Sequence, residues 1–246
     1  MHLLQIEVLN QEVDPEDKTP SYYRILVNRK HIKYVTIDPG IYEVDDLCFP
    51  PILVEKLPKF PEGDWNCGRI SQTDGTPAPF FSETLKKELP SISPLWYPKS
   101  YEYLSFQIGE RLRSNEIGHY VAETQAYSWI DGHNIGPKFL GYLTEDGRVI
   151  GFLIESVEGR HATVSDLDAC KAIVRELHGL GILHGDLNKH NFLISERGVV
   201  MIDFETAKKS KDGEAMEKEL MGLEGHLLDE SGNGGVVKEE KSSEKA

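Results

Sequence analysis

The chain has 246 residues, 28% of them charged, with a formal net charge of −14, a balance that argues against broad binding to nucleic acid or anionic membranes, which favour basic patches. No apolar run is long enough to span a bilayer, and Met1-His2-Leu3-Leu4-Gln5 has neither the basic start nor the apolar stretch of a secretory leader. Cys48, Cys67 and Cys170 are odd in number and widely spaced, which fits neither a disulfide framework nor a zinc site, so a cytoplasmic or nuclear location is expected.

Leu3 to Leu9, Tyr22 to Val27 and Ile32 to Ile37 are rich in β-branched and aromatic residues. With Asp14-Pro15 and Asp38-Pro39-Gly40 as turns, they predict a β-rich appendage over residues 1–48. Nine prolines lie between Pro50 and Pro98, with Gly63, Gly68 and Gly75 among them, which predicts an extended connection over 49–100 rather than a folded module. Residues 121–130 read as a helix, and residues 136–142 and 149–155 as strands. Leu167, Cys170, Ile173, Val174, Leu177 and Leu180 then recur at helical spacing, with Ser165 and Asp168 as a capping box and Gly179 and Gly181 ending the run. Phe192 to Ile194 and Val199 to Ile202 predict two short strands joined by the turn Glu196-Arg197-Gly198. A last helix is expected from about Glu214 to Leu228, and the Gly-, Ser-, Lys- and Glu-rich residues 229–246 are expected to be disordered.

The chemistry concentrates in His184-Gly185-Asp186-Leu187-Asn188-Lys189-His190-Asn191, followed twelve residues later by Asp203-Phe204-Glu205. Phosphoryl transfer from a magnesium nucleotide needs one carboxylate beside the acceptor hydroxyl, with a carboxamide and a second carboxylate to hold metal against the phosphates. Asp186, Asn191 and Asp203 supply that set. The alternative is that these aspartates merely cap turns and strand ends, where Asp is common.

The loop H-x-D-x-x-x-x-N followed by D-F-x resembles the protein-kinase-like superfamily in order and spacing. The resemblance implies an α+β protein-kinase-like fold over residues 101–228, with an abbreviated small lobe and a minimal helical large lobe beside the β-rich appendage. It implies ATP and Mg2+ as cofactors, Asp186 as the catalytic base, and Asn191 and Asp203 as metal ligands. By the same register Glu123 is the helix glutamate that pairs with a phosphate-binding lysine, and Glu155 to Glu158 form the hinge to the nucleotide base. Glu123 reads equally well as a solvated helix charge. His178 is expected to be structural, and His184 to orient the loop backbone. Gly185 stands where regulated protein kinases usually carry Arg, which argues against control by activation-loop phosphorylation. With Asn188 rather than Lys two places after Asp186, the loop is more similar to the small atypical kinases of the Bud32/RIO type and to the aminoglycoside phosphotransferases. Glu205 replaces the glycine of D-F-G, which removes a hinge for Phe204. The run from Gly132 to Gly141 resembles fungal kinase-like proteins.

No lysine occurs between Lys99 and Lys138, and the interval where the family carries its glycine-rich loop and phosphate-binding lysine offers only Gly109, Gly118, Arg111 and Arg113. No A-P-E follows Asp203, so the peptide-docking region of ordinary protein kinases is missing. Three readings stand: an active phosphotransferase, a pseudokinase acting as an interaction module, and a glycoside hydrolase whose catalytic carboxylates would lie outside these motifs. Nucleotide is the expected partner. The acceptor, protein or small molecule, is not legible.

Overall fold

The computed structural model describes residues 4–73, 75, 78–106 and 117–229 and divides into two compact units. Unit 1 comprises Met1–Pro90, Glu102–Ile108 and Glu145–Arg148, and unit 2 comprises Ser91–Tyr101, Gly109–Thr144 and Val149–Ala246. No helix among the described residues is long and apolar enough to cross a membrane. The chain is a mixed α+β structure with several β-sheets.

Unit 1 is built on a five-stranded sheet. Strands β1 (Ile6–Glu12), β2 (Ser21–Val27) and β3 (His31–Ile37) run antiparallel, and Asn28 and Arg29 turn between β2 and β3 with φ of 53° and 55°, the left-handed pair that matches hairpin twist. Helices α1 (Val44–Cys48) and α2 (Pro50–Lys56) follow, then β4 (Cys67–Ser71) parallel to β3 and β5 (Phe80–Leu85) antiparallel to β4. Tyr23, Ile25 and Val27 alternate onto a buried face with Val35 and Ile37, and Leu47 and Leu53 from the helices close it.

The extended connection expected over 49–100 is therefore not what the structure has in 50–85. A parallel strand pair requires a crossover of a dozen or more residues, and α1 and α2 provide it. Pro50 and Pro51 occupy the first turn of α2, where a missing N–H costs nothing. Phe60, Trp65 and Phe81 then pack ring on ring, with centroids 5.2 to 5.9 Å apart, and bury the part of the chain that proline counting marks as open.

In the remaining chain, β6 (Ser100–Glu102) joins β7 (Phe139–Glu145) and β8 (Arg148–Ile154) in a three-stranded sheet, and α3 (Ile117–Ile130) precedes β7. Next come β9 (Arg160–His161), α4 (Leu167–Gly179), β10 (Ile182–Leu183), β11 (Phe192–Ser195), β12 (Gly198–Met201), β13 (Lys208–Lys209) and α5 (Gly213–Leu228). β9, β11 and β12 form a second small sheet, and β10 pairs with β13. Cys170, Ile173, Val174 and Leu177 of α4 and Leu220, Leu223 and Leu227 of α5 share one core with Phe192, Met201 and Phe204. The capping box sits two residues earlier than Ser165 and Asp168: Thr163 and Asp166 form it, because a 3-10 turn over Val164–Asp166 carries the chain into α4. Leu180 caps the helix and Gly181 leaves it at φ 71°, in the left-handed region that glycine permits. Asp212 caps α5 through the amides of Glu214 and Ala215.

Within unit 1, Glu145 is 3% exposed and collects three donors. Arg24 Nε lies 2.7 Å away, Arg148 Nη2 2.8 Å and the Tyr34 hydroxyl 2.5 Å. Burial, then the bond to Glu145, pushes the Tyr34 phenol up to about 12. Arg24 also lies over the Tyr103 ring at 4.3 Å. Removing one member of such a buried set leaves the others uncompensated, which costs more than the intact pair contributes. Glu145→Ala is expected to lower unfolding free energy by about 3–5 kcal/mol in urea denaturation. A loss under about 1 kcal/mol would mean the arginines simply turn to water.

Candidate functional site

The site lies in unit 2 and begins where β10 ends. His184 is fully buried, and its Nε2 sits 3.1 Å from the Ile202 carbonyl, which only accepts, so Nε2 carries the proton. Burial pushes its imidazole pKa down, against the opposing pull of the Ile202 carbonyl and the negative charges of Glu219, Asp186 and Asp203. His184 is thus a neutral buried post of the loop.

Gly185 follows at φ 86°, and a Cβ there would meet the Thr206 carbonyl oxygen at 2.8 Å. Both the dihedral and the contact exclude a side chain, which is the physical content of glycine at the place where regulated kinases carry Arg. The turn is held from α5: the Gly185 amide donates to Glu219 Oε1 at 2.7 Å and the His184 amide to Oε2 at 3.4 Å. His178 Nε2 lies 2.7 Å from the same Oε2. Burial disfavours charge on Glu219, but the His178 bond and the two amides outweigh it and hold its carboxyl below the usual range. Thr206 adds a bond from its hydroxyl to the His184 carbonyl at 2.8 Å.

Asp186 emerges exposed. Its Oδ2 accepts from Asn188 Nδ2 at 3.1 Å and Asn191 Nδ2 at 3.2 Å, and its carbonyl takes the Asn191 amide nitrogen at 2.9 Å. Asn188 caps the 3-10 turn over Lys189–Asn191 by accepting from the His190 amide at 2.9 Å. Lys189 Nζ donates to the Asp229 carbonyl at the end of α5, 2.5 Å away.

The β11–β12 register pairs Phe192 with Met201, and the Ile202 amide extends it by donating to the Asn191 carbonyl at 3.0 Å. Asn191 and Asp203 therefore stand at the same end of one hairpin. Asp203 has φ 65°, uncommon for a residue with a Cβ and typical of functional positions held by their surroundings. Phe204 is fully buried next to it, its ring 5.1 Å from His184 and 5.5 Å from Tyr127 of α3.

Glu123 stands one turn before Tyr127 on α3, and its charge and that of Asp203 both act on the Tyr127 hydroxyl. The Glu155 carboxylate is engaged elsewhere, by Arg197 of the β11–β12 turn at 3.0 and 3.1 Å, and that contact, then the Lys138 amide, lowers its pKa. Its backbone amide donates to the Lys138 carbonyl at 2.9 Å. Lys99 is exposed just before β6, its carbonyl accepting from Tyr142. Arg111, Arg113 and Gly109 lie outside the described residues, as does the tail beyond Asp229.

Glu219 and Thr206 are not found by motif reading. The signal for Glu219 is a carboxylate between Met216 and Leu223, three and four residues away on the apolar stripe of α5, where a charge demands a buried partner. Nothing in the sequence distinguishes Thr206.

The donor set suits a hard cation held jointly with phosphate. Asn191 spends its amide nitrogen on Asp186, and its oxygen meets no donor among the described residues. The Asn191 carboxamide oxygen and the Asp203 carboxylate are oxygen donors of the kind magnesium takes, which is typically bound by one or two carboxylates plus substrate phosphates. Among the described residues no group of three or more His, Cys, Asp or Glu could hold a metal alone.

Comparison with known proteins points the same way. Residues 155–241 match the Lipopolysaccharide kinase (Kdo/WaaP) family, a minority of the chain that includes the whole loop and the Asp203 triplet. The chain is also 30% identical over 126 residues to the probable bifunctional tRNA threonylcarbamoyladenosine biosynthesis protein of Methanothermobacter thermautotrophicus, a match that covers 49% of this chain and 23% of that relative. The chain thus spans less than a quarter of the length of that protein. The matches and the loop are similar to the protein-kinase-like class, the resemblance carried by His184 to Asn191 and Asp203 to Glu205.

Two substitutions test the geometry. Gly185→Ala should destabilise by about 1–3 kcal/mol, from a left-handed residue with a Cβ and its clash with Thr206. Glu219→Gln should cost about 1–3 kcal/mol at neutral pH, because one oxygen cannot serve all three donors. A carboxyl with a depressed folded pKa gives stability that is full above its unfolded pKa, about 4.3, and is lost as pH falls through the folded value. The gap between wild type and Glu219→Gln in urea midpoints should therefore close below about pH 4. A gap that persists unchanged at pH 3 would show that ionisation of Glu219 is not what holds the loop.

Proposed function

We propose that this chain is an ATP- and magnesium-dependent phosphotransferase, with residues 101–228 as its kinase-like core. The observation that carries the reading is the convergence of Asp186, Asn191 and Asp203: two hydrogen bonds from the Asn191 side-chain nitrogen tie it to Asp186, and the hairpin register brings Asp203 to the same end as Asn191. Asp186 Oδ2 is occupied by two amide donors, while Oδ1 meets none among the described residues and is available to accept the proton of an acceptor hydroxyl. Asn191 Oδ1 and Asp203 would hold magnesium, which supplies charge compensation to the phosphates when bound. The family to which residues 155–241 are similar, and the archaeal relative, fit this class of chemistry more closely than glycoside hydrolysis.

A pseudokinase is the second reading. Its specific support is the absence of lysine from residues 100–137, since a lysine paired with the helix glutamate positions the phosphates for in-line transfer. Without it, positioning fails before binding does, and a misplacement of about 1 Å costs about a hundredfold in rate.

Thermal-shift titration separates these readings. ATP at millimolar concentration should stabilise the chain only with magnesium present, and Asp203→Ala should abolish the magnesium dependence. No stabilisation by ATP with magnesium sinks both. Asp186→Asn should cut phosphate transfer or ATP hydrolysis by about 10²–10⁴-fold while leaving nucleotide affinity nearly unchanged. An equal loss of affinity would indicate misfolding, and unaltered turnover would remove Asp186 as the base. Wild-type binding without detectable turnover selects the pseudokinase.

A further inference from the structure

Lys189 stands three residues after Asp186, in the 3-10 turn that Asn188 caps, and its Nζ donates to the Asp229 carbonyl at 2.5 Å. The loop between them is compact, because Asn188 and Asn191 both bond back to Asp186. The end of α5 is thereby moored to the loop that presents the Asp186 carboxylate. Capping is one use of such a lysine, since a cation is favourable at the last carbonyls of a helix.

The chain runs on from the mooring, and Ser231 is the first hydroxyl beyond it, two residues after Asp229. Two residues span at most about 7 Å and three about 10 Å, so the step from Asp229 to Ser231 is of the same order as the step from Lys189 back to Asp186. Little other chain competes for the acceptor position. Only residues 206–212 separate the Asp203-Phe204-Glu205 triplet from α5, and Lys208 and Lys209 among them are paired with β10. A tethered group reacts at an effective concentration that falls steeply as its tether lengthens, which favours Ser231 over the distant Ser242 and Ser243.

We propose that Ser231 is a phosphate acceptor in cis, and that Lys189 is the positioning residue that brings it to Asp186. The inference rests on the phosphotransferase reading above. Ser231 Oγ forms a bond to the γ-phosphorus of ATP while the bond from that phosphorus to the β–γ bridging oxygen breaks. ADP leaves, and the hydroxyl proton passes to Asp186 Oδ1.

The test is incubation of the full chain with millimolar ATP and magnesium, with phosphorylated residues mapped by mass spectrometry and ADP release measured in parallel. Phosphate should appear at Ser231, at a rate per molecule that does not change with protein concentration. The Asp186→Asn chain should acquire none, alone or mixed with wild type. Lys189→Ala should lower Ser231 phosphorylation relative to the ADP it releases by about tenfold, as for a lost bond from a charged group, and Lys189→Arg should restore most of it. An insertion after Asp229 that lengthens the tether about fourfold leaves Lys189 in place and should lower the same ratio about eightfold. A rate that rises with concentration, or phosphate on Asp186→Asn in the mixture, means transfer between molecules and overturns the inference. So does phosphate at Ser242 or Ser243 alone, or ADP release that leaves Ser231 unmodified, and the phosphotransferase reading stands in each case. Ratios unchanged by Lys189→Ala or by the insertion confine Lys189 to capping and overturn its positioning role. A wild type that releases no ADP sinks the phosphotransferase reading, and this inference with it.

Discussion

The Glu219 carboxylate is the interaction on which the rest of the site depends. A loop that must present a carboxylate to solvent cannot also be held by burying its own side chains, so its backbone amides have to be held from outside. Glu219 reaches from α5 to the amides of His184 and Gly185, and its charge makes both bonds stronger than neutral ones. The helix that carries it is itself fixed by Leu220, Leu223 and Leu227 in the core. Burial of the α5 stripe is thereby converted into a defined position for Asp186. His178 completes the carboxylate's shell and ties α4 to the same point.

The Asn191–Asp203 side of the site is fixed through one peptide. The Ile202 amide donates to the Asn191 carbonyl and the Ile202 carbonyl accepts from His184, so both polar groups of that residue are used by the loop His184–Asn191. Asp203 comes next, at a left-handed φ that a free chain would populate rarely. The two bonds before it and the buried Phe204 ring after it hold that conformation. The aromatic contacts from His184 through Phe204 to Tyr127 extend this order from the loop to α3, so loop, hairpin and helix share one packed column.

Much of this was legible in the sequence, and the failures have physical causes. The α4 stripe from Leu167 to Leu177, the strands on either side of Glu196 and the helix ending at Leu228 follow from apolar periodicity, which burial enforces. The loop stood out because its residue types and spacing resemble those that phosphoryl transfer uses, and the structure brings Asn191 onto Asp186. The interval 50–85 was misread because proline has two opposite uses: it breaks strands and helices internally, yet it is at home in the first turn of α2. Whether β3 would find β4 depends on a parallel pairing across the helices between them, a long-range fact that no local pattern carries. Glu145 was invisible for the same reason, since its partners Arg24 and Tyr34 lie more than a hundred residues away.

The proposed phosphotransferase reading places a demand on charge. Asp186, Asp203 and Glu123 are carboxylates, and a nucleoside triphosphate adds several more negative charges against a chain of formal charge −14. At an effective dielectric of about 20, two like charges 4 Å apart repel by about 4 kcal/mol, comparable to the whole free energy of a millimolar complex. Carboxylates hold phosphates only where cations stand between them. In kinase-like proteins a lysine and one or two metal ions share that task. On the proposed phosphotransferase reading, with lysine absent from residues 100–137, more of the compensation would fall on a metal held by Asn191 and Asp203. The two backbone bonds of Ile202, one to the Asn191 carbonyl and one to His184, fix the hairpin end at which Asn191 and Asp203 stand.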